Sequence, residues 1–352
     1  GVRRSALISL SDLGDEQMRQ AKNGAWWEDF SHRSLANNSA NYNTKPDTGT
    51  FLREWASLYE SKSGERGIYS SFNARKQVER FDHREPRDDF GTNPCSEIIL
   101  RPREFCNLSE VVIREKDTKQ ALLRKVEYAT ILGTFQSTLT NFKYLPKKWK
   151  ENCEEERLLG VSLTGIMDNK LMFNPDPKFL REMRDHARKV NEEWAEKLKI
   201  PPSVSITCIK PSGTVSQLCD SASGIHSRHS DYYIRTVRAD NKDPITQLMK
   251  DFNVPNEPDL MKPDSTTVFS FPIKSPKKSI KRDDMSALEQ LEMWKVYQEH
   301  WCEHKPSVTI TVKEDEWTAV GSWVYDNFDC VSGISFLPHS DHVYKQAPYQ
   351  EC

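Results

Sequence analysis

Two thiols, an amide and a carboxylate stand at spacings that could support redox chemistry. In Gly91–Glu110, GTNPCSEIILRPREFCNLSE, Cys95 sits in a short polar turn with Asn93, Pro94, Ser96 and Glu97, and Cys106 follows eleven residues later. Pro94 fixes its own φ and pushes Asn93 toward an extended conformation. Alternate residues of an extended segment share a face, so Asn93, Cys95 and Glu97 are expected on one side. A thiol flanked by an amide and a carboxylate is a candidate reaction centre. The chain between Cys95 and Cys106 is long enough to turn back and bring a second sulfur nearby, within the roughly 4.4–6.8 Å Cα separation that a disulfide needs. The plain alternative is a small buried hydrophobe beside an Asn-Pro turn opener.

A second stretch, Ser203–Asp220, has a different chemistry. Val204–Ile209 reads as a strand that runs into Pro211, Ser212, Gly213, Thr214, Val215 and Ser216. A strand, a Ser-Gly-Thr turn and a helix start gather backbone N–H groups and hydroxyls as phosphate sites do, and the helix N-terminus adds about half a positive charge. The same residues serve as ordinary N-caps in most helices.

NPCSEI followed by FCNLSEVV resembles the finger loop of the large, catalytic component of ribonucleotide reductase. The resemblance implies that Cys95 carries a transient thiyl radical, that Asn93 and Glu97 handle the substrate's hydroxyls and a proton, and that Cys106 is one half of the redox pair. The same family binds the substrate phosphate with a segment laid out like Pro211–Ser216 followed by Gly224-Ile225-His226, which makes Pro211, Ser212, Gly213, Thr214 and Val215 the candidate phosphate residues. Gly1–Arg4, GVRR, resembles the loop that relays effector identity, with Arg3 reaching toward the substrate base.

The fold implied is α/β: the C-terminal part of the family's ten-stranded α/β barrel, over residues 1–350, with a central finger loop at 91–110, a phosphate segment at 203–226 and a truncated specificity loop and strand at 1–12. Threading through a barrel would hold Cys95 away from water and oxidant. The chain opens on Gly rather than Met, and the expectation is a fragment or the product of a split or processed gene, with the N-terminal part of the barrel and the effector site missing. The family's partner for Cys106 is expected in that N-terminal part.

The rest of the chain must position these residues. Thr50–Lys62 and Lys119–Leu139 show helical apolar stripes, and Pro177–Leu198 is a long amphipathic helix. Helices are also expected at Asp15–Asn23, Pro244–Phe252, Ser286–Cys302 and Lys313–Phe328. Strands are expected at Ser5–Ser11, Ile68–Phe72, Tyr232–Arg238, Thr266–Ile273, Ser307–Val312 and Gly333–Pro338. Ser34–Tyr42 reads as polar and turn-rich. Within Glu154–Asp168 the R-L-G-x-x-x-x-G pattern resembles a family helix packed on the barrel. The alternation of strands and helices predicts a largely parallel sheet with both faces covered.

Composition narrows the function class. The 352 residues carry a net charge of −2, which gives no general electrostatic case for nucleic acid or membrane binding. No apolar run approaches the roughly 20 residues of a membrane helix. Eight scattered cysteines without a CxxC pair argue against a zinc site and a secreted disulfide framework, so no metal is expected and the compartment expected is the cytoplasm. The resemblance implies reduction of ribonucleoside tri- or diphosphates for DNA synthesis, allosteric control, and a thioredoxin-like reductant. The NPCSE turn, PSGT and a tail with Tyr344 and Tyr349 apart resemble the adenosylcobalamin-dependent enzymes; a diiron subunit is the second candidate for the radical source. Two further readings stay open: an inactive or non-catalytic barrel remnant, and a thiol enzyme pairing a cysteine with His226 or His229.

Overall fold

The computed structural model describes residues 7–24, 26–213, 215–260, 262–339, 346 and 349–351. Arg3, Thr214 and Tyr344 lie outside them. The chain forms two units: Gly1–His226 with Ser286–His339, and Ser227–Met285 with Ser340–Cys352.

The strands in chain order are β1 (Leu7–Ser11), β2 (Ala36–Asn41), β3 (Gly67–Tyr69), β4 (Gly91–Thr92), β5 (Ile99–Leu100), β6 (Asn107–Val112), β7 (Leu159–Thr164), β8 (Tyr232–Asp240), β9 (Asn256–Pro258), β10 (Thr266–Lys274), β11 (Thr309–Val312), β12 (Gly333–Pro338) and β13 (Tyr349–Glu351). In the first unit a five-stranded sheet runs β1-β2-β3-β12-β11. Parallel bridges from Pro306 to Ile209 and from Thr207 to Val161 extend it through residues 204–209 to β7 and then β6. All neighbours in this wall are parallel except β3 and β12, which run antiparallel. The largely parallel expectation thus holds within two groups of strands, and one antiparallel seam joins them. The second unit is an antiparallel sheet, β13-β8-β10-β9, with the helix Pro244–Asp251.

Burial explains why β7 is a strand. Leu159–Thr164 is buried at every position: Leu159, Val161 and Leu163 alternate with the small or hydroxylated Gly160, Ser162 and Thr164, the period of two of a strand covered on both faces. The helix expected from the R-L-G pattern is therefore corrected: the helix Lys147–Glu156 ends at Arg157 in a left-handed conformation, and the chain enters β7. Ser34–Tyr42 is likewise no turn but contains β2, whose polar side chains find partners: Asn38 Nδ2 donates to Met18 O at 2.7 Å. Residues 204–209 are extended but held by bridges rather than a full ladder. The strand expected at Ile68–Phe72 stops at Tyr69, because Ser70 caps the helix Ser71–Glu79 by accepting from Asn73 N.

The long helices follow the sequence pattern closely. Thr48–Ser61, Lys119–Gln136 and Pro177–Leu198 each start at a side-chain cap, Asp47, Thr118 and Asp176 respectively. Leu122, Val126, Ala129 and Gly133 face the core as the stripe predicts. On Thr48–Ser61 the inward face is Phe51, Glu54, Leu58 and Ser61, while Leu52 is exposed. No helix of the described residues is long and apolar enough to cross a membrane.

Candidate active site

A minimal hairpin carries the thiol. β4 and β5 pair antiparallel, Gly91 with Leu100 and Thr92 with Ile99, and residues 93–98 close the loop. The loop is a tight turn rather than an extended segment: Ser96 N donates to Asn93 O at 2.9 Å, and Ser96 has φ +63°. The expected one-sided alternation therefore fails. Cys95 is exposed, whereas Glu97 is turned inward with 1% exposure. Asn93 stays local: its Oδ1 accepts from Ile98 N at 3.0 Å, and its side chain hydrogen-bonds the Glu97 carboxyl.

The turn is clasped from three directions. Asn37 of β2 donates from Nδ2 to Pro94 O at 2.6 Å. Ser307 Oγ donates to Cys95 O at 2.6 Å, and Lys305 N donates to Glu97 O at 3.0 Å. Below the hairpin, Ile99 N donates to Nδ1 of the fully buried His304, whose Nε2 donates to Leu159 O at 2.9 Å. Arg84 donates to Ile99 O at 2.7 Å and holds Glu104 and Glu156 at 3.2 and 2.6 Å. Sequence reasoning misses these supports. The run Glu303-His304-Lys305 ahead of Pro306 was the available signal, since three ionisable residues at the mouth of an apolar strand need partners when buried.

Electrostatics separate the two side chains of the turn. Cys95 reaches the surface, yet the atoms packed around the turn still desolvate its thiol, and this, followed by the nearby Glu97 charge, pushes it up to about 11. It therefore stays protonated at neutral pH, unlike the depressed thiols of nucleophilic cysteines. Burial raises the Glu97 carboxyl, and the Asn93 hydrogen bond together with Lys210 and Lys305 opposes that rise. Raised carboxylates are suited to proton transfer near neutrality.

Cys106 lies at the foot of β6. A Cβ added at Gly160 would meet its Sγ at 3.2 Å and Ile98 Cδ1 at 3.1 Å, so the second sulfur packs under the hairpin. Burial drives its thiol well above the usual range, with Glu97 and Glu104 adding to the effect. Cys153 lies beside it, accepting from Phe105 N at 3.3 Å.

The Pro211 turn faces the same space as the thiol. One cavity of about 260 Å³ is lined by Asn37, Pro94, Cys95, Ser96, Pro211 and Ser307, among others. Ser212 is buried, has φ +55°, and its Oγ accepts from Ser216 N at 3.2 Å, so it acts as a local cap. Its hydroxyl also hydrogen-bonds the Glu110 carboxyl. Gly213 and Val215 are exposed, and the short helix Val215–Leu218 follows. Among the described candidate phosphate residues Pro211 alone lines this cavity; Ser212, Gly213 and Val215 do not, and Cys95 itself is exposed rather than sealed.

His226 does not pair with the thiol. Its Nδ1 donates to Ser223 O and its Nε2 accepts from Thr309 N, each at 3.0 Å. Among the described residues no group of three or more His, Cys, Asp or Glu could hold a metal ion.

The wall of parallel strands around a central hairpin decides the fold when set beside solved structures. A B12-dependent, class II ribonucleotide reductase superposes with a TM-score of 0.78 over 98% of this chain and 52% of its own, at 23% identity. The alpha subunit of the class Id ribonucleotide reductase of Actinobacillus ureae gives 0.63 over 95% and 70%, at 15% identity. The chain has the fold of part of the ribonucleotide reductase barrel. Sequence comparison agrees with that fold. The adenosylcobalamin-dependent ribonucleoside-triphosphate reductase of Lactobacillus acidophilus is 27% identical over 382 residues, covering 99% of this chain and 50% of the relative. That of Euglena gracilis is 29% identical over 276 residues, covering 76% and 37%. A probable one from Dictyostelium discoideum is 29% identical over 282 residues, covering 75% and 35%. No family model matches the chain. The chain spans about half the length of the curated reductases it matches, and corresponds to their C-terminal half.

Proposed function

We propose that this chain carries the radical-bearing part of a ribonucleotide reductase site, reducing ribonucleoside triphosphates, or diphosphates, to 2′-deoxyribonucleotides. The observation that carries the reading is the shared cavity: a protonated, exposed thiol and Pro211, the first residue of the candidate phosphate turn, line one space. The relatives named above supply the substrate class.

In this reading Cys95, as a thiyl radical, takes the hydrogen from ribose C3′. Glu97 accepts the proton of the 3′-hydroxyl, Asn93 hydrogen-bonds the substrate, and the 2′-hydroxyl leaves as water. Cys106 and a partner thiol give up two electrons and two protons and become a disulfide, which a thioredoxin-like dithiol reduces again. The Cys95 hydrogen returns to C3′, so each turnover consumes one dithiol and releases one water. Pro211, Ser212, Gly213, Thr214 and Val215 hold the phosphate, and Arg3 reaches toward the base. Glu97 faces inward in this structure, so productive binding requires its carboxyl to become reachable from the cavity.

Adenosylcobalamin, named in the relatives, would supply the unpaired electron when bound. At about 260 Å³ the cavity falls below the roughly 300–1,000 Å³ of pockets that enclose drug-sized ligands, so a corrin fits only over the open side, where Cys95 is exposed. The chain's part toward that group is to present the Cys95 thiol.

The reading further holds that the remainder of the barrel, matching the other half of the relatives, completes the site and its allosteric control, in the cytoplasm. Deoxyribonucleotide formation is measured with the 352-residue chain alone and with a polypeptide supplying that remainder, each with and without adenosylcobalamin. Turnover only with both additions is expected. Turnover that ignores the cofactor but needs a diiron subunit would replace the radical source, and no turnover in any arm would leave a barrel remnant without catalysis.

A further inference from the structure

Lys305 is the buried charge that the chemistry above does not use. Its side chain has no exposure. Lys22, another buried lysine, has Glu65 at 2.7 Å. Among the described residues Lys305 instead meets neutral groups within bonding distance: Ser96 Oγ at 3.0 Å, Thr92 Oγ1 at 3.4 Å, and the Tyr69 ring with its centroid 4.6 Å away. Burying an ammonium without a carboxylate is costly, so its place calls for a reason.

The position supplies one. Thr92 and Ser96 flank the turn that presents Cys95, and Ser96 holds the left-handed conformation that non-glycine residues rarely adopt. Lys305 N binds Glu97 O, and Ser307 binds Cys95 O, so residues 305 and 307 grip three consecutive residues of the turn. Gly333 leaves the room: a Cβ there would lie 2.4 Å from Ser96 Oγ and 3.4 Å from Lys305 Nζ.

We propose that Lys305 is a positioning residue, a proton-dependent strut that fixes Ser96 and thereby holds Cys95 outward while Glu97 turns inward. This rests on the finger-loop reading of Gly91–Leu100. Burial lowers the ammonium to about 7, opposed by the Glu97 charge. The other groups facing the region are the Tyr69 hydroxyl, neutral His304 beside it, Arg84 acting on both of these, and Lys210 acting on Glu97 and Cys95. Below about pH 7 the strut is charged and its hydrogen bonds are charge-assisted; above it they are neutral and weaker. The turn therefore loosens as pH rises through neutrality.

The test is the rate of Cys95 alkylation by iodoacetamide on the full chain from about pH 6 to 9, read by peptide mass spectrometry, which separates Cys95 from the partly exposed Cys219 and Cys330. Divided by the thiolate fraction, the rate should step up near pH 7 by roughly 3- to 10-fold, the scale on which charged and neutral hydrogen bonds differ. Lys305→Arg, charged throughout, should hold the slow level without a step. Lys305→Met should sit at the fast level without a step. Ser96→Ala removes the acceptor and should also abolish the step, which keeps the test open if the methionine variant fails to fold. A wild-type profile without the step, or a step that survives in Ser96→Ala or Lys305→Met, overturns the proposal. The readout needs no turnover, so failure of ribonucleotide reduction would remove the function while leaving the strut, and the reverse holds equally.

Discussion

The hairpin around Cys95 and the turn at Pro211–Ser216 are both short loops, one after the half-buried β4 and one after the buried segment 205–209, yet they are built in opposite ways. The first is gripped from outside: Asn37, Lys305 and Ser307 reach its turn, and Arg84 and His304 reach its base. The second is held mainly by itself, through Ser212 capping Ser216 and the Ser216–Ser223 hydroxyl contact at 2.8 Å, with Gly213 and Val215 left exposed. A reactive thiol needs one direction, and a two-strand hairpin of two residues each cannot supply it unaided. A phosphate turn needs free backbone donors, which outside clamps would occupy.

The comparison can be broken in several places. Cys95→Ser should reduce deoxyribonucleotide formation in the completed enzyme to background while leaving the melting temperature unchanged, because the side chain is exposed. Retained turnover would move the reaction centre elsewhere. Glu97→Gln should lower kcat by about 10²- to 10⁴-fold, the span of general acid–base groups. Arg84→Met strands two buried carboxylates and should cost about 3–5 kcal/mol in denaturant unfolding. A small effect there would mean that the hairpin does not depend on its outside supports. Ser212→Ala, by contrast, loses one local cap, about 1 kcal/mol, and should raise KM for the nucleotide more than it lowers kcat.

A last effect, confined to acid, is on stability. Burial, then Arg84, lowers His304 from 6.5 to about 3. Between those values the unfolded chain binds the proton and the native one does not, so this contribution to stability falls as pH drops from 6.5 toward 3 and is constant above 6.5. His304→Gln should flatten that part of a melting-temperature series.

Much of this molecule was legible before any coordinates. The stripes on Lys119–Gln136 and Pro177–Leu198 mark helices because periodicity is a local property. The resemblance through NPCSE and FCNLSE led to the barrel that the solved structures bear out. The run at Leu159–Thr164, LGVSLT, reads as a helix through the R-L-G-x-x-x-x-G resemblance, although Leu159, Val161 and Leu163 alternate with Gly160, Ser162 and Thr164 at a strand's period of two.

The amino-acid sequence by itself put forward the candidates, Cys95, Glu97, Cys106 and the Ser-Gly-Thr turn, through residue type, spacing and the family resemblance. The tertiary structure decided their directions. It placed Cys95 outward and Glu97 inward across one left-handed Ser96, set Pro211 across the cavity from the thiol, and put Lys305 beneath the turn. Those outcomes depend on hydrogen bonds between residues up to 213 positions apart, Lys305 to Thr92, and no local pattern encodes a partner that far along the chain.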